Sequence, residues 1–372
     1  MRRAPPLIIG GGPAGAAAAI ALARAGHAPT LIERTTRPTD KVCGDFLSAE
    51  AIQTLIGHGI DFDALAPAPI TSIRLVHRHR VATTRLPFAA YGLTRRVLDE
   101  ALMQQASACG ADVRRGHTAR RIAAVGSSLR IDCDAAEAIE AKAVFLATGK
   151  HDLRGAPRRT GRTGLVGLKM YYALDSRQAD CLRDHIELAL FPGGYAGLQP
   201  VEGGQAVLCA LLPAATLREN GRSCPLATLI DASSHLTERL SGARALLDRP
   251  LAVAGMPYGY VHTPRYDDLP GVFRLGDQAA VIGSCTGDGV ALALASGATA
   301  ADSWRTGGTA ASYHRGRRRQ LARQIGLAQL IHGLCLSGRF QPSIAAACRA
   351  FPHVMAWAAN WTRSGTITEL SV

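Results

Sequence analysis

LIIGGGPAGAAAAIALARAGHAPTLIER, running from Leu7 to Arg34, decides the fold of this chain. Leu7-Ile8-Ile9 is a short apolar run of the kind that forms a buried parallel strand. Gly10, Gly12 and Gly15 follow at once in the spacing G-x-G-x-x-G. Gly10 permits a tight turn, Gly12 admits a pyrophosphate to the backbone, and Gly15 lets the next helix pack close to the strand. That helix, expected from Ala14 to Ala25 behind Pro13, is almost all alanine, and its N-terminus offers unpaired N–H groups to a diphosphate. Gly26 ends it, and Pro29-Thr30-Leu31-Ile32 reads as a second strand. Glu33 closes that strand about 20 positions past the glycines, where a carboxylate accepts hydrogen bonds from a ribose diol. Strand, loop, helix, strand and acid thus arrive in the order a dinucleotide site needs. Gly10, Gly12, Pro13, Ala14, Gly15, Glu33 and Arg34 are its expected contacts. A secretory-signal reading of the same stretch fails on Pro5-Pro6 and on three consecutive glycines, which break the apolar region a signal requires.

The chain has 372 residues, 47% of them hydrophobic, which suits a globular protein with a substantial core. No run approaches the roughly 18 apolar residues that span a bilayer. Nine cysteines without a C-x-x-C pair argue against a disulfide scaffold and a zinc site, so no metal is expected, and the cytoplasm is the expected compartment. A formal charge of +13 is compatible with nucleic acid, an anionic membrane surface or acidic ligands. The one dense run, Arg315-Gly316-Arg317-Arg318-Arg319, lacks interleaved aromatics and reads as a solvated helix face, so no nucleic-acid partner is expected. Peripheral membrane contact stays open.

Pro and Gly make Arg37–Ser48 a loop carrying Lys41, Cys43 and Gly44, and Ser48 is placed to cap a helix through Ala51, Leu55 and Ile56. Strands are expected at Ser72–Val76 and Val81–Leu86, then a helix from Arg95 to Cys109 with Leu98, Leu102 and Ala106 on one face. Strand-like pieces at Asp112–Arg115, Ile122–Val125, Leu129–Cys133 and Ala143–Thr148 return to the nucleotide-binding part. From about residue 160 to 265, longer alternating stretches predict an antiparallel sheet walling a cavity, with helical cover near Leu217, Leu226–Ile230 and Leu236–Leu247. Gly271–Asp277 is again a buried strand, followed by a glycine-rich turn and a helix over Gly289–Trp304. The remainder, 308–363, is helical and amphipathic.

The stretch Gly276-Asp277-Gln278 to Gly287-Asp288-Gly289 resembles the second FAD signature of the para-hydroxybenzoate-hydroxylase-like flavoproteins. In that family the strand-terminal Asp holds the ribityl chain, and a glycine turn with a helix N-terminus faces the isoalloxazine. Within it, the chain is most similar to geranylgeranyl-reductase-type oxidoreductases. Four features carry the likeness. They are the Pro38…Lys41-Val42-Cys43-Gly44 loop, the helix start Arg95-Arg96-Val97-Leu98-Asp99, the strand Gly194-Tyr195-Ala196-Gly197-Leu198-Gln199-Pro200, and Thr286-Gly287-Asp288-Gly289. The resemblance implies an α/β fold: a Rossmann-type FAD-binding domain, an inserted antiparallel-sheet substrate domain and C-terminal helices. Residues 1–70, 94–160 and 270–306 would form the FAD-binding domain, 71–93 and 161–269 the substrate-binding domain, and 307–372 a C-terminal helical segment.

The resemblance also implies FAD contacts at Lys41, Cys43, Gly44, Arg95, Gly276, Asp277, Gly287, Asp288 and Gly289. Cys43 and Tyr195 become catalytic candidates, each with a packing role as its plain alternative. Lys169 and Tyr171 alternate with apolar neighbours and could face either substrate or solvent. The departures bear on the pocket. Gly197 and Gln199 stand where the family has Trp and Phe, which predicts a different shape and polarity from a prenyl-chain tunnel. Tyr195–Pro200 also lacks the two tryptophans of flavin halogenases.

Three functions are compatible with these features. The first is a flavin reductase or dehydrogenase acting on a hydrophobic prenyl- or polyketide-like molecule in specialised metabolism, with NAD(P)H as transient reductant. The second is a flavin monooxygenase hydroxylating an aromatic or polyketide substrate. The third is a non-catalytic nucleotide-binding escort, which the flavin-facing motifs disfavour.

Overall fold

The computed structural model describes residues 4–134, 137–161, 163–219 and 225–363. The opening unit forms as its sequence dictates: β1 (Leu7–Ile9), α1 (Pro13–Arg24) and β2 (Thr30–Glu33). β3 (Phe46–Leu47), α2 (Ala49–Gly57) and the hairpin β4 (Ala68–His77) and β5 (Arg80–Gly92) follow. α3 (Arg95–Ala108) begins at Thr94, whose hydroxyl accepts from Val97 N, and Gly110 ends it at φ +101°. β6 (Asp112–Arg115) returns to β2, while β7 (Ala119–Val125), β8 (Ser128–Cys133) and β9 (Ile139–Ala141) form a small sheet of their own. β10 (Val144–Leu146) runs back beside β1.

β11 (Leu165–Ala173), α4 (Ser176–Leu182), β12 (Asp184–Phe191), β13 (Gly194–Pro200) and β14 (Ala206–Pro213) come next. After them lie α5 (Ala214–Glu219), α6 (Pro225–Asp231), α7 (Ser234–Arg239), β15 (Arg244–Ala245) and β16 (Leu251–Ala254). The chain closes with β17 (Val272–Arg274), α8 (Gly289–Arg305), α9 (Ala310–Leu336), α10 (Gln341–Ala350) and α11 (His353–Trp361).

The first sheet is parallel in the order β17-β10-β1-β2-β6, the arrangement a doubly wound nucleotide fold requires. α1 and α8 cross against each other in the core beside this sheet, among Ala16–Ala19, Ile20, Leu22, Leu294 and Trp304. Small residues set that closeness: a Cβ on Gly297 would lie 2.1 Å from Ala14 O.

The second sheet runs β15-β11-β14-β13-β12-β4-β5-β3 and is mixed rather than wholly antiparallel, because β12 lies parallel to β4. The hairpin β4–β5 is made before the chain returns to the first sheet, and β12 is added to it only after that excursion. A crossover of that length permits a parallel join, which a tight turn does not. β3, inside the segment expected to bind nucleotide, pairs with β5 of this second sheet. One face of the sheet buries Leu168, Met170, Ala196, Leu198 and Leu208 under Leu182, Leu226, Leu229 and Leu236 of α4, α6 and α7. The opposite face looks toward α9, α10 and α11, meeting Cys335, Cys348 and Met355.

Two local expectations are corrected. The helix expected over Leu236–Leu247 stops at Arg239, because 244–245 are drawn out to pair with β11. Ser48 precedes α2 without a side-chain cap bond, and Ile56 on that helix is 58% exposed.

Candidate functional site

The glycine loop between β1 and α1 is built for close approach. Gly10 takes φ +107°, and a Cβ there would lie 2.4 Å from Ala147 O. A Cβ on Gly15 would lie 1.9 Å from Gly10 O, so the helix start meets the loop backbone directly. Gly11 N donates to Glu33 Oε2 at 2.7 Å, while Thr35 N and Oγ1 donate to Glu33 Oε1. Burial alone would push Glu33 up, but the nearby Lys41 charge and these donors hold it below its ordinary value, ionised and aimed at the loop. Arg34 is exposed and reaches His151 Nε2 at 3.1 Å instead of the loop.

Arg95 reaches over the loop from the start of α3: a Cβ on Gly12 would come 3.2 Å from its Nη2. Its guanidinium is fixed bidentately on Asp99, by Nε–Oδ1 at 2.7 Å and Nη2–Oδ2 at 2.9 Å, and Lys41 Nζ joins Asp99 Oδ2 at 2.9 Å. Burial works against the charge on Arg95, and Asp99 more than restores it. A planar cation held this way offers a fixed fork to a phosphate or a flavin edge.

The second glycine turn closes the other side. Gly276 takes φ +54° and Gly287 φ +76°, and Asp277 projects beside Lys150, 4.0 Å away. Asp288 does not line the cavity. It lies behind the turn, where Arg363 Nη1 sits 3.4 Å from Oδ1, and burial raises its carboxyl to about 7 against the pull of Arg363. Gly44, Gly149 and Gly289 all border the cavity, and a Cβ on any of them would meet nothing within 4 Å. Space where side chains are omitted, an acid at a strand end, and two helix N-termini together fit FAD.

The cavity itself holds about 540 Å³ and reaches from the glycine loops to the space between the second sheet and α9–α11. Most of its wall is apolar, including Leu75, Phe88, Leu188, Ile344 and Met355. Period-two geometry puts Tyr195, Gly197 and Gln199 of β13 on the cavity face. Tyr195 Oη bonds Ser284 Oγ at 2.5 Å and His332 Nδ1 at 3.1 Å. Burial drives Tyr195 up and His332 down to about 4, so at neutral pH both are uncharged. Gly197 leaves room, since a Cβ there would meet only Cys209 O at 3.8 Å. Gln199 is 2% exposed, and its Nε2 has no hydrogen-bond partner among the described residues.

Lys169 and Tyr171 face neither substrate nor solvent. They share the cavity side of β11, but the Lys41–Asp45 loop covers them, and both bond Asp45 Oδ2, at 2.6 and 2.7 Å. Lys169 Nζ also donates to Lys41 O at 3.0 Å, so this buried pair pins the loop that presents Cys43 and Gly44. Cys43 borders the cavity together with Cys209, Cys285, Cys335 and Cys348. The basic run is only partly a solvated face, because Arg317 is buried and donates to Gln320 Oε1 at 2.8 Å. In a separate groove Arg120 pairs with Asp134 and Asp152 with Arg158. No local pattern in the sequence joins His332 or Asp45 to the site, and Ser284 lies inside the second glycine-rich stretch. No group of three metal-ligating side chains occurs among the described residues.

The family model described as FAD binding domain matches residues 3–137. Menaquinone reductase of Mycolicibacterium smegmatis is 25% identical over 345 residues, spanning 82% of this chain and 77% of its own. Digeranylgeranylglycerophospholipid reductase 2 of Methanopyrus kandleri is 25% identical over 317 residues, 80% of this chain and 75% of its own. Among solved structures, a geranylgeranyl bacteriochlorophyll reductase-like protein of Thermoplasma acidophilum superposes with a TM-score of 0.72 at 19% identity, over 96% of this chain and 98% of that one. A flavin-dependent brominase gives 0.77 at 16% identity, over 97% and 93%. At such identities the structural likeness is one of fold.

Proposed function

We propose that this chain, an FAD-dependent oxidoreductase of the geranylgeranyl-reductase type, moves two hydrogens to or from a carbon–carbon bond of an apolar, prenyl- or polyketide-like molecule. The observation that carries the reading is the Tyr195 hydroxyl, set between the second glycine turn and an apolar cavity. When bound, FAD supplies hydride exchange at its N5. The chain supplies the other half. In reduction the Tyr195 O–H bond breaks as its proton joins the carbon that does not receive hydride, the Ser284 hydroxyl donates a hydrogen bond to the oxygen left behind, and a proton from water entering the emptied cavity restores the phenol. In the reverse direction the Tyr195 oxygen, its proton first lost to water, takes one from carbon. Gly10, Gly12, Pro13, Ala14 and Gly15 would bind the diphosphate, Glu33 the ribose, and Asp277 the ribityl chain. Arg95, Gly44, Gly287 and Gly289 would border the flavin ring, with Cys43 beside it. Lys41 and Asp288 would act from behind, through Asp99 and Arg363.

Gln199 qualifies the substrate. An unpartnered buried amide costs about 1–3 kcal/mol, and a carbonyl or hydroxyl oxygen on an otherwise apolar molecule relieves it. That polar point also favours, as second reading, oxygen insertion into an aromatic or polyketide ring. NAD(P)H or a partner protein would reduce the flavin transiently, since no second G-x-G-x-x-G unit serves a nicotinamide. Turnover of polyprenyl quinones and geranylgeranyl lipids by chemically reduced enzyme under strict anaerobiosis, read by mass spectrometry, separates the two. A product two hydrogens heavier is expected. A product formed only in air and carrying oxygen-18 from labelled dioxygen would overturn the proposal in favour of the second reading.

A further inference from the structure

From Ser303 to Arg363 the chain carries nine arginines and no aspartate or glutamate. This segment ends in α11, whose apolar residues span one broad arc. Met355 and Ala358 line the cavity, Val354 lies at its rim, and Trp357 and Trp361, three and seven positions beyond Val354, are 54% and 47% exposed. The two indoles pack with centroids 3.9 Å apart and planes tilted by 37°, and Arg323 of α9 lies 5.9 Å from the Trp361 ring. Phe340 and Phe351, at the ends of α10, are also exposed, with Arg339 5.9 Å from the Phe340 ring. None of Arg323, Arg339 and Arg349 is ion-paired among the described residues, and all three are exposed.

We infer that the outer face of α10 and α11 docks on an anionic lipid bilayer, with Trp357 and Trp361 at the level of the headgroups. Large apolar side chains in contiguous display mark an interaction surface. Indoles combine an apolar body with a polar N–H and settle at the membrane–water interface. Unpaired arginines around them complement anionic headgroups. A second copy of this chain would bring the same cationic face against itself, and a nucleic acid would leave the aliphatic part of the face uncovered. Val354 lines the cavity yet is 38% exposed, so the docked face adjoins the cavity wall. No helix of the described residues is long and apolar enough to cross a membrane, so the contact is peripheral. The inference holds whichever reaction the cavity performs.

The test uses the full chain with FAD and phosphatidylcholine vesicles, with and without phosphatidylglycerol. Co-sedimentation is expected with the anionic vesicles and should weaken as salt is raised. The chain has three tryptophans, of which Trp304 is 1% exposed, so a blue shift of emission on vesicle addition reports α11 directly. Arg339→Ala/Arg349→Ala should lower partitioning by roughly fivefold per arginine. Trp357→Ser/Trp361→Ser should abolish the shift and most of the binding while leaving the flavin spectrum unchanged. The inference is overturned by any of four results: no binding to anionic vesicles, unchanged emission, full binding by both variants, or tryptophan-dependent self-association without vesicle binding. Capture of a single-stranded oligonucleotide in preference to vesicles would likewise replace it with nucleic-acid binding.

Discussion

Asp277 and Asp288 stand eleven positions apart on one glycine-rich stretch, yet their surroundings assign them opposite tasks. Asp277 is partly exposed at the cavity edge, with Lys150 4.0 Å from its carboxylate, so its lone pairs remain available to a polyol. Asp288 is buried against Arg363, which also bonds Glu50 Oε2 at 3.1 Å, lies over the Phe88 ring at 3.5 Å, and thereby ties the end of α11 to the turn. Asp277→Ala should therefore weaken FAD binding by about 1.5–3 kcal/mol, roughly tenfold to a hundredfold, as titration of apo-protein would show. An affinity equal to wild type would remove Asp277 from the cofactor site. At this scale sequence legibility tracks sequence distance. Gly10, Gly12, Gly15 and Glu33 lie within one strand–helix–strand unit, and the close-approach geometry they form follows from spacing alone. Asp45 finds Lys169 across 124 positions and Tyr195 finds His332 across 137, so no local pattern joins either pair. Period two on β11 correctly put Lys169 and Tyr171 on one face, but only the fold shows that a loop covers that face.

Helices and strands were easier to foresee than their pairing. α1, α3, α8 and the long C-terminal helices all lie where composition and apolar periodicity set them, because those signals act within a few turns. The parallel join of β4 to β12 was hidden, since alternation reveals a half-buried strand but says nothing of its neighbour's direction. The α1–α8 crossing was hidden too, although its requirement is written in a single residue. Gly297 meets Ala14 O at the first turn of α1, the helix proposed to hold the diphosphate. A methyl there cannot fit without moving α8 away or shifting the α1 start. Gly297→Ala should thus cost about 1–3 kcal/mol despite alanine's better helix propensity, and should weaken FAD binding in parallel. Urea unfolding with and without added FAD reads both effects. An alanine variant as stable as wild type would show that the crossing has slack.

The whole molecule is held together by α9, which meets the first sheet near one end and the flavin-side turn near the other, and buried histidines sit at both contacts. His314 receives Arg274 N at 3.2 Å beside β17, His262 packs 4.5 Å from it, and His332 backs the turn at Gly283–Ser284. Burial lowers all three from 6.5, His314 to about 3, His262 and His332 to about 4. Below pH 6.5 the unfolded chain binds protons that the folded chain refuses, so stability is complete near neutrality and is lost as pH falls toward 4. Asp288 acts in the reverse sense. Its folded value of about 7 lies above 3.8, so its contribution is present at low pH and fades as pH rises through 7. Among these four groups three protons stand against one, and their combined share of the slope approaches about 2.7 kcal/mol per pH unit where all four differ between states. Asp288→Asn removes the opposing group and should make the acid limb steeper. His314→Gln removes one of the three and should make it shallower. Because α9 also forms a cavity wall, acid should release FAD over the same window in which the unfolding midpoint falls. Urea midpoints between pH 5 and 8, read alongside free flavin fluorescence, decide the matter. A midpoint that stays flat from pH 7 to 5, or an Asp288→Asn limb shallower than wild type, would show that these buried groups do not govern the acid stability of the fold.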